Sequence, residues 1–399
     1  MEINRVLIVS SFASKEKVEF LRSRTQQNPG YAIQKFTRLL AEGFKKNGVG
    51  IQVLSVLSVS NHTVKKLLWW PRSDEDRGIS FMYLPFVNLP YLRHICLLFF
   101  SFFKVLFWCI GNRKHKAVVC DALCRSACLG AIGACKITGV RSLGVLTDMP
   151  GMVTKKVKVN RYVGELMLKI QFGYFKHFKA LVYMTKYVVE AINLPQIPHI
   201  VMEGSVDSEL SKQVQLKKKN KTRDIVYAGH MHERHGTNLL VEAFTKLPFE
   251  DVRLVLFGDG AFCEKLPEYI EKDKRIEYRG VVTNDVILDA EEKAALLVNP
   301  RPSNQDFTYY SFPSKNHEYM VSGTPVLTTK LPCFPDEYLP YLYLFHEETV
   351  DGMYKDLYEV LSLDNEELEE KGKACRDFVL REKNNVVQSK RILDLINAV

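Results

Sequence analysis

Two short apolar runs, more than two hundred residues apart, open the same pattern and constrain the fold more than any other feature. Arg5-Val-Leu-Ile-Val-Ser10 begins the first, Asp224-Ile-Val-Tyr-Ala-Gly229 the second. Neither alternates polar with apolar, so each reads as a strand covered on both faces, the habit of a parallel sheet. In the first half a loop with Asn28, Pro29 and Gly30 follows. Then come helical spacing from Ala32 to Asn47, closed by Gly48, and a second strand at Ile51–Val56. In the second half the order is a glycine-rich loop, a helix from about Asn238 to Lys246, and a strand at Val252–Phe257. Strand, helix and parallel strand in succession build a doubly wound sheet. Further strands are predicted at Ala117–Cys120, Leu143–Leu146, Leu181–Met184, Ile276–Arg279, Ala295–Val298 and Thr324–Thr328.

The chain has 399 residues, too many for one ordinary core, and the charged segment KKKNKTR at 217–223 reads as a linker. The expected fold class is therefore α/β, with two Rossmann-like doubly wound domains facing a shared cleft. Residues 1–200 form one, 201–385 the other, and 386–399 a C-terminal helix. No repeat of solenoid period and no low-complexity tract is visible. Ligands of such sheets bind outside the carboxyl ends of the strands.

Charge divides unevenly. Residues 1–200 hold 29 Lys and Arg against 11 Asp and Glu, a balance of +18, while the remainder carries −9. One half is thus expected to face an anionic surface. No nucleic-acid recognition motif is present, and the same half holds the most apolar run, Ile95 to Ile110, with Arg113, Lys114 and Lys116 behind it. At 16 residues with Lys104 inside, it falls short of the ~20 needed to span a bilayer. A helix partly buried and partly facing an anionic membrane is the reading, with a fully buried helix as the alternative. The basic loop Lys155, Lys156, Lys158 and Arg161 reads as solvated. The start, MEINRVLIVSS, has no basic segment leading into an apolar one, so a cytoplasmic protein is expected. Nine cysteines without a Cys-x-x-Cys pair suit a reducing compartment. Cys120, Cys124, Cys128 and Cys135 are expected along one face of a small-residue helix as buried free thiols.

Three features of the second half converge on one ligand. Gly229-His-Met-His-Glu-Arg-His-Gly236 runs from a strand end into a helix start, where backbone amides can approach an anion. Gly258-Asp259-Gly260 is a second tight turn at a strand end. The stretch Asn299 to Lys330 packs polar and small residues into a loop, starts a helix near Ser314 and ends in Gly323-Thr-Pro-Val326. Glu318 stands just inside that helix, placed to accept from vicinal hydroxyls. Lys315 and the amides of Phe312 and Ser314 are placed for phosphate oxygens. A ribosyl diphosphate is what such residues would hold. His230, His232 and His235 also form a string open to a zinc reading, but no further ligands are arranged around it.

The loop after Gly229, the Gly-Asp-Gly turn and the block Phe312-Pro-Ser-Lys315, Glu318-Tyr-Met320, Ser322-Gly-Thr-Pro-Val326 resemble the donor half of glycosyltransferase family 4, in its capsular and exopolysaccharide branch. The resemblance implies a GT-B fold, a nucleotide-diphosphate sugar donor, retention of anomeric configuration and usually no metal or other cofactor. It also implies that the last helix packs back on the N-terminal domain. By position, Glu318 matches the second acid of the family's Glu-x7-Glu motif. The first falls at Tyr310, with Asp306 the nearest carboxylate upstream. The basic residues that grip the diphosphate fall at His230 and His235, with Arg234 beside them. Asp148, in Leu146-Thr-Asp-Met-Pro150, matches a polar residue near the sugar, and the loop at Gly30 matches the family's first glycine-rich loop. Expected partners are the nucleotide sugar, a glycan or polyprenyl-diphosphate-linked glycan acceptor, and an anionic membrane surface. The competing readings are a catalytically inactive homologue acting as an assembly partner and a GT-B epimerase, whose acids and histidine are not found together. No Gly-x-Gly-x-x-Gly follows either first strand, which disfavours a dinucleotide oxidoreductase.

Overall fold

The computed structural model describes residues 2–25, 31–59, 64–149, 172–212 and 219–399. Gly30 and the loop residues Lys155, Lys156, Lys158 and Arg161 lie outside the described residues. The chain forms two compact units, Met1–Ser205 with Asn385–Val399, and Val206–Asn384. Both are doubly wound, Rossmann-like α/β structures.

The strands of the first unit are β1 (Arg5–Ser10), β2 (Gly50–Ser55), β3 (Leu68–Trp69), β4 (Asp74–Asp76), β5 (Ile79–Tyr83), β6 (Phe86–Val87), β7 (Lys116–Asp121), β8 (Arg141–Leu146), β9 (Ala180–Tyr183) and β10 (His199–Val201). Eight of them form one sheet in the order β10-β9-β8-β7-β1-β2-β5-β4. Every pairing is parallel except β4 with β5 at the edge. The winding reverses between β1 and β7, the switch point where such sheets open a crevice. Val6 to Val9 are at most 1% exposed, as a centre strand covered on both faces requires.

The last helix, Asn385–Ala398, belongs to this first unit. It lies on the helix Tyr31–Lys46 at a point where the backbones nearly touch: a Cβ on Gly43 would stand 2.1 Å from the Asn385 carbonyl oxygen. Asn385 Nδ2 donates to Leu39 O at 3.1 Å, and Asn47 Nδ2 to Val386 O at 2.9 Å. Two side-chain amides, that of Asn385 buried, therefore satisfy carbonyls across the contact, and the missing side chain lets the helices approach.

The second unit adds β11 (Arg223–Ala228), β12 (Val252–Phe257), β13 (Ile276–Gly280), β14 (Leu296–Asn299), β15 (Val326–Thr329) and β16 (Tyr343–Phe345). All are parallel, in the order β13-β12-β11-β14-β15-β16, with the reversal between β11 and β14. Apolar layers cover both faces, one around Leu240, Phe244 and Leu357, the other around Tyr319, Met320 and Phe378.

Several local expectations need correction. Between β1 and the Gly30 loop stands a helix, Lys15–Thr25, which the sequence did not reveal because only Leu21 of its core-facing residues is fully buried. The four clustered cysteines do not share a helix. Cys120 lies in β7, whose ladder with β8 runs on through Asp121; Cys124 caps the helix Arg125–Thr138, and only Cys128 and Cys135 lie within it. All nine cysteines are free thiols, six of them buried, Cys128 among them. The helices Val350–Ser362 and Asn365–Glu382 were also not foreseen.

Replacing Gly43 by Val should lower the urea midpoint of the first unit by an amount equivalent to about 1–3 kcal/mol, through overpacking against Asn385. Gly50→Ala is the control, since its new methyl finds nothing closer than 3.6 Å. Equal midpoints for Gly43→Val and the unaltered chain would show that this contact does not hold the last helix.

Candidate functional site

The carboxyl edge of the second sheet is built from backbone in close contact. Gly229 follows β11, and its amide donates to Phe257 O at 3.0 Å, while Met231 N donates to Asp259 O at 2.6 Å. A Cβ on Gly258 would stand 1.8 Å from Gly229 O, one on Gly260 2.1 Å from Met231 O, and one on Gly236 2.0 Å from Pro300 O. These three glycines have φ of +126°, +143° and +76°. Sterics and backbone angle both demand glycine there. The loops after β11, β12 and β14 are thereby clamped together. Tyr227 Oη donates to His230 O at 3.0 Å and Tyr278 Oη to Gly258 O at 2.8 Å, which fixes the two turns further.

The helix Ser314–Ser322 is tied to the same edge. The Ala228 amide, last in β11, donates to Tyr319 Oη at 2.9 Å. At the start of the helix Phe312 is buried against His317, Phe334 and Tyr338, with ring centroids 4.7, 5.3 and 5.3 Å away. Its side chain is an anchor, so only its backbone is left for a ligand. Pro313 precedes Ser314 and supplies no side-chain cap to the first turn, in which the Asn316 amide donates to Pro313 O at 2.9 Å and those of Ser314 and Lys315 precede it. Lys315 Nζ stands 3.4 Å from Glu318 Oε2, so these two site candidates form an ion pair with each other. Asn316 turns inward, accepting from Asn299 Nδ2 at 2.5 Å, and holds the helix to β14.

Imidazoles and guanidiniums crowd the first loop. The rings of His230, His232 and His235 lie 5.7 to 6.3 Å apart. His230 Nδ1 stands 3.5 Å from Asp259 Oδ1. Burial pushes the His235 pKa down to about 4, helped by the positive charge of Arg301 and Arg234. His235 is thus neutral at physiological pH, a hydrogen-bonding group rather than a fixed charge. Among the described residues, no group of three or more His, Cys, Asp or Glu is arranged to hold a metal ion.

Two residues of chemical interest escaped the sequence reading. Arg301, half-buried just beyond β14, lies with its guanidinium 5.3 Å from the Phe307 ring centre, beside His235, and no carboxylate pairs with it among the described residues. Burial lowers its pKa from the usual guanidinium value, which leaves it charged. Its signal was its place, two residues past an apolar strand end. Asp121 closes β7 at the switch point of the first unit and is 7% exposed. It accepts from the Leu123 amide at 3.0 Å, and burial raises its pKa. It helps line a small hollow with Ser10, Thr37 and Thr147. Asp148, two residues past β8, is exposed and accepts from the Met149 amide at 2.8 Å. It shares the first unit with Asp121, apart from the residues of the second.

Residues 222–362 match the family model described as Glycosyl transferases group 1. No curated protein sequence matches the chain. Among solved structures it is similar to a glycosyltransferase from Rickettsia africae ESF-5 (TM-score 0.67, 14% identity, covering 100% of this chain and 99% of that one). It is also similar to HepE of Anabaena in complex with UDP (TM-score 0.62, 11% identity, 99% and 100% covered). A third is the lipopolysaccharide outer core galactosyltransferase WaaB in its apo form (TM-score 0.63, 14% identity, 99% of each chain covered). At these identities the likeness is one of fold, the two-domain GT-B architecture.

The fold holds His235 neutral, so the stability this confers is complete above the unfolded value near 6.5 and is lost as pH falls towards 4. His235→Gln should therefore flatten the profile of melting temperature against pH between about 6.5 and 4. Superimposable slopes for the variant and the unaltered chain would contradict a buried neutral imidazole.

Proposed function

We propose that the chain is a glycosyltransferase whose second unit holds a nucleotide-diphosphate sugar and whose first unit presents the acceptor. The observation that carries this reading is the clamped glycine edge with Arg301 and Arg234 beside it and no carboxylate to neutralise either among the described residues. Such a cluster of like charge is held together by the fold at a cost, and a bound anion offsets it. In this reading the turns at Gly229, His230, Gly258 and Asp259, the amides of Phe312 and Ser314, and the cations Arg234, Arg301 and Lys315 surround the diphosphate. Glu318 takes the ribose hydroxyls once the ligand competes for Lys315, and His235 is a neutral donor. The family match over 222–362 and the UDP bound to HepE of Anabaena support a nucleotide sugar of this class.

In the reaction proposed, the bond from the anomeric carbon to the β-phosphate oxygen breaks as the acceptor oxygen bonds to that carbon. The acceptor proton passes to the leaving phosphate. Transfer with retention, which the resemblance implies, then proceeds by front-face attack, since no side chain among the described residues of the second unit's edge is assigned as a nucleophile. The cations and amides stabilise charge growing on the diphosphate, which is the largest contribution in such transfers. Asp148 is assigned to the sugar, as the resemblance implies. The acceptor proposed is a glycan, polyprenyl-diphosphate-linked, in surface polysaccharide synthesis at the inner face of the cell membrane. The likeness to WaaB, named for lipopolysaccharide outer core, is in keeping with that.

A thermal-shift panel of nucleoside diphosphates should raise the melting temperature for one base above the rest. Arg301→Gln should weaken that nucleotide about 10- to 100-fold, the usual loss for a charge-assisted hydrogen bond. Glu318→Gln should weaken it and abolish transfer. A chain that none of the diphosphates stabilises at millimolar concentration, or an Arg301→Gln variant that binds as well as the unaltered chain, would refute the assignment. Firm nucleotide binding without transfer or donor hydrolysis would favour the inactive homologue, for which Tyr310 at the first motif position is the motive.

A further inference from the structure

The helix Leu92–Cys109 carries a face that the described residues of its own unit leave uncovered. It has the length and apolarity of a membrane segment, with mean hydropathy 1.6, yet only 22% of it is buried. Leu97, Ser101, Val105 and Cys109, four residues apart, form the buried stripe. They pack on the helix Arg125–Thr138: Ser101 Oγ donates to Ala127 O at 2.7 Å, and a Cβ on Gly130 would stand 2.3 Å from Leu98 O. About 200° around the axis, two residues away, lie Ile95, Phe99, Phe103 and Phe107. These are 63%, 53%, 37% and 67% exposed. The outward stripe is thus more apolar than the inward one, the reverse of an ordinary surface helix. The patch continues onto the residue after β3, where Trp70, 77% exposed, meets Phe100 edge-on at 5.7 Å.

Charge along the helix and the chain on either side of it, from Arg77 to Cys120, has one sign. No Asp or Glu occurs between Asp76 and Asp121. Lys65, Lys66 and Arg72 flank Trp70, and Arg113 and Lys114 follow the helix, all of them exposed. A second copy of the chain would bring these cations against their own kind, whereas an anionic leaflet neutralises them.

We propose that this face docks the protein onto an anionic lipid bilayer, with the helix lying in the interface, its Ile and Phe stripe among the acyl chains and the basic residues at headgroup level. A span is not the arrangement: crossing would strip the helix from its close contact at Gly130. Lys104, half-covered on the flank of the helix, can extend its amine to the headgroups while its methylenes stay in the apolar layer. The inference deepens the function proposed above, since it names the surface on which a lipid-linked acceptor would be met.

Flotation of the full chain with vesicles tests it, without nucleotide or acceptor. Vesicles of phosphatidylcholine and phosphatidylglycerol in equal parts should carry the protein. Pure phosphatidylcholine should carry it at least about tenfold less well, and added salt should narrow the difference. Phe99→Ser/Phe103→Ser/Phe107→Ser should abolish flotation with either vesicle. Lys65→Glu/Lys66→Glu/Lys114→Glu should remove only the preference for phosphatidylglycerol. Melting temperature and nucleotide-induced shift, unchanged in both variants, show that they fold; Phe107→Ser alone, with partial loss, serves should the triple variant fail to. Undiminished flotation of the triple serine variant overturns the proposal. So does a concentration-dependent dimer, seen by size-exclusion chromatography, that the serine substitutions dissolve while neither protein floats. A chain that floats but binds no nucleotide leaves the docking surface standing and removes the transfer reading; the opposite pattern does the reverse.

Discussion

At the carboxyl edge of the second sheet, three loops meet through bare backbone, and the chemistry assigned to that unit depends on this. Gly258 against Gly229 O, Gly260 against Met231 O and Gly236 against Pro300 O leave no room for a β-carbon. The positive φ at 236, 258 and 260 would strain any other residue as well. Because the contacts are made by backbone, the turns cannot be loosened by a rotamer change, and the amides of Gly229, Met231, Gly236 and Gly258 are spent on carbonyls that hold them in place. Tyr319 extends the clamp to the helix that carries Glu318, by accepting from the last amide of β11. Glycine turns, helix start and carboxylate thus form one rigid edge rather than three independent features.

The electrostatics of that edge are unbalanced by construction. Glu233 is taken up by Lys265 at 2.7 Å, and Glu318 by Lys315 at 3.4 Å. That leaves Arg234 and Arg301 without a carboxylate among the described residues, and after burial their positive charge is a reason His235 stays unprotonated. A protein selected for stability alone would place an acid here, since pairing a half-buried cation is favourable and leaving it unpaired is not. The unmet positive charge is best understood as half of an interaction with a ligand.

The first unit shows an imbalance of another kind. Its sheet is conventional, but the helix Leu92–Cys109 turns phenylalanines outward and a serine inward. Apolar surface in water is unfavourable in proportion to its area, so a contiguous aromatic stripe ringed by cations makes physical sense only if something covers it. Anionic lipid satisfies both the apolar centre and the charged rim.

The sequence by itself determined the pattern of both sheets. A buried parallel strand is a local apolar run, a helix start at Ser314 is set by Phe312-Pro313 before it, and tight turns are set by glycine; five to ten residues carry each signal. The charge asymmetry and the apolar run at 95–110 were equally plain in composition. Where local pattern was weak it misled: Lys15–Thr25 has no clear apolar stripe, and the regular spacing of Cys120 to Cys135 suggested one helix where a strand, a cap and a helix share the cysteines. Only the tertiary structure decided that His235 is held neutral by burial with Arg301 beside it, that Asp121 is buried at a strand-order reversal, and that the Phe99 face rather than the Ser101 face looks outward. Those properties come from residues brought together across the chain. Burial, pKa and the sign of a helix's exposed face depend on what packs against a residue, and no window of sequence contains that neighbour.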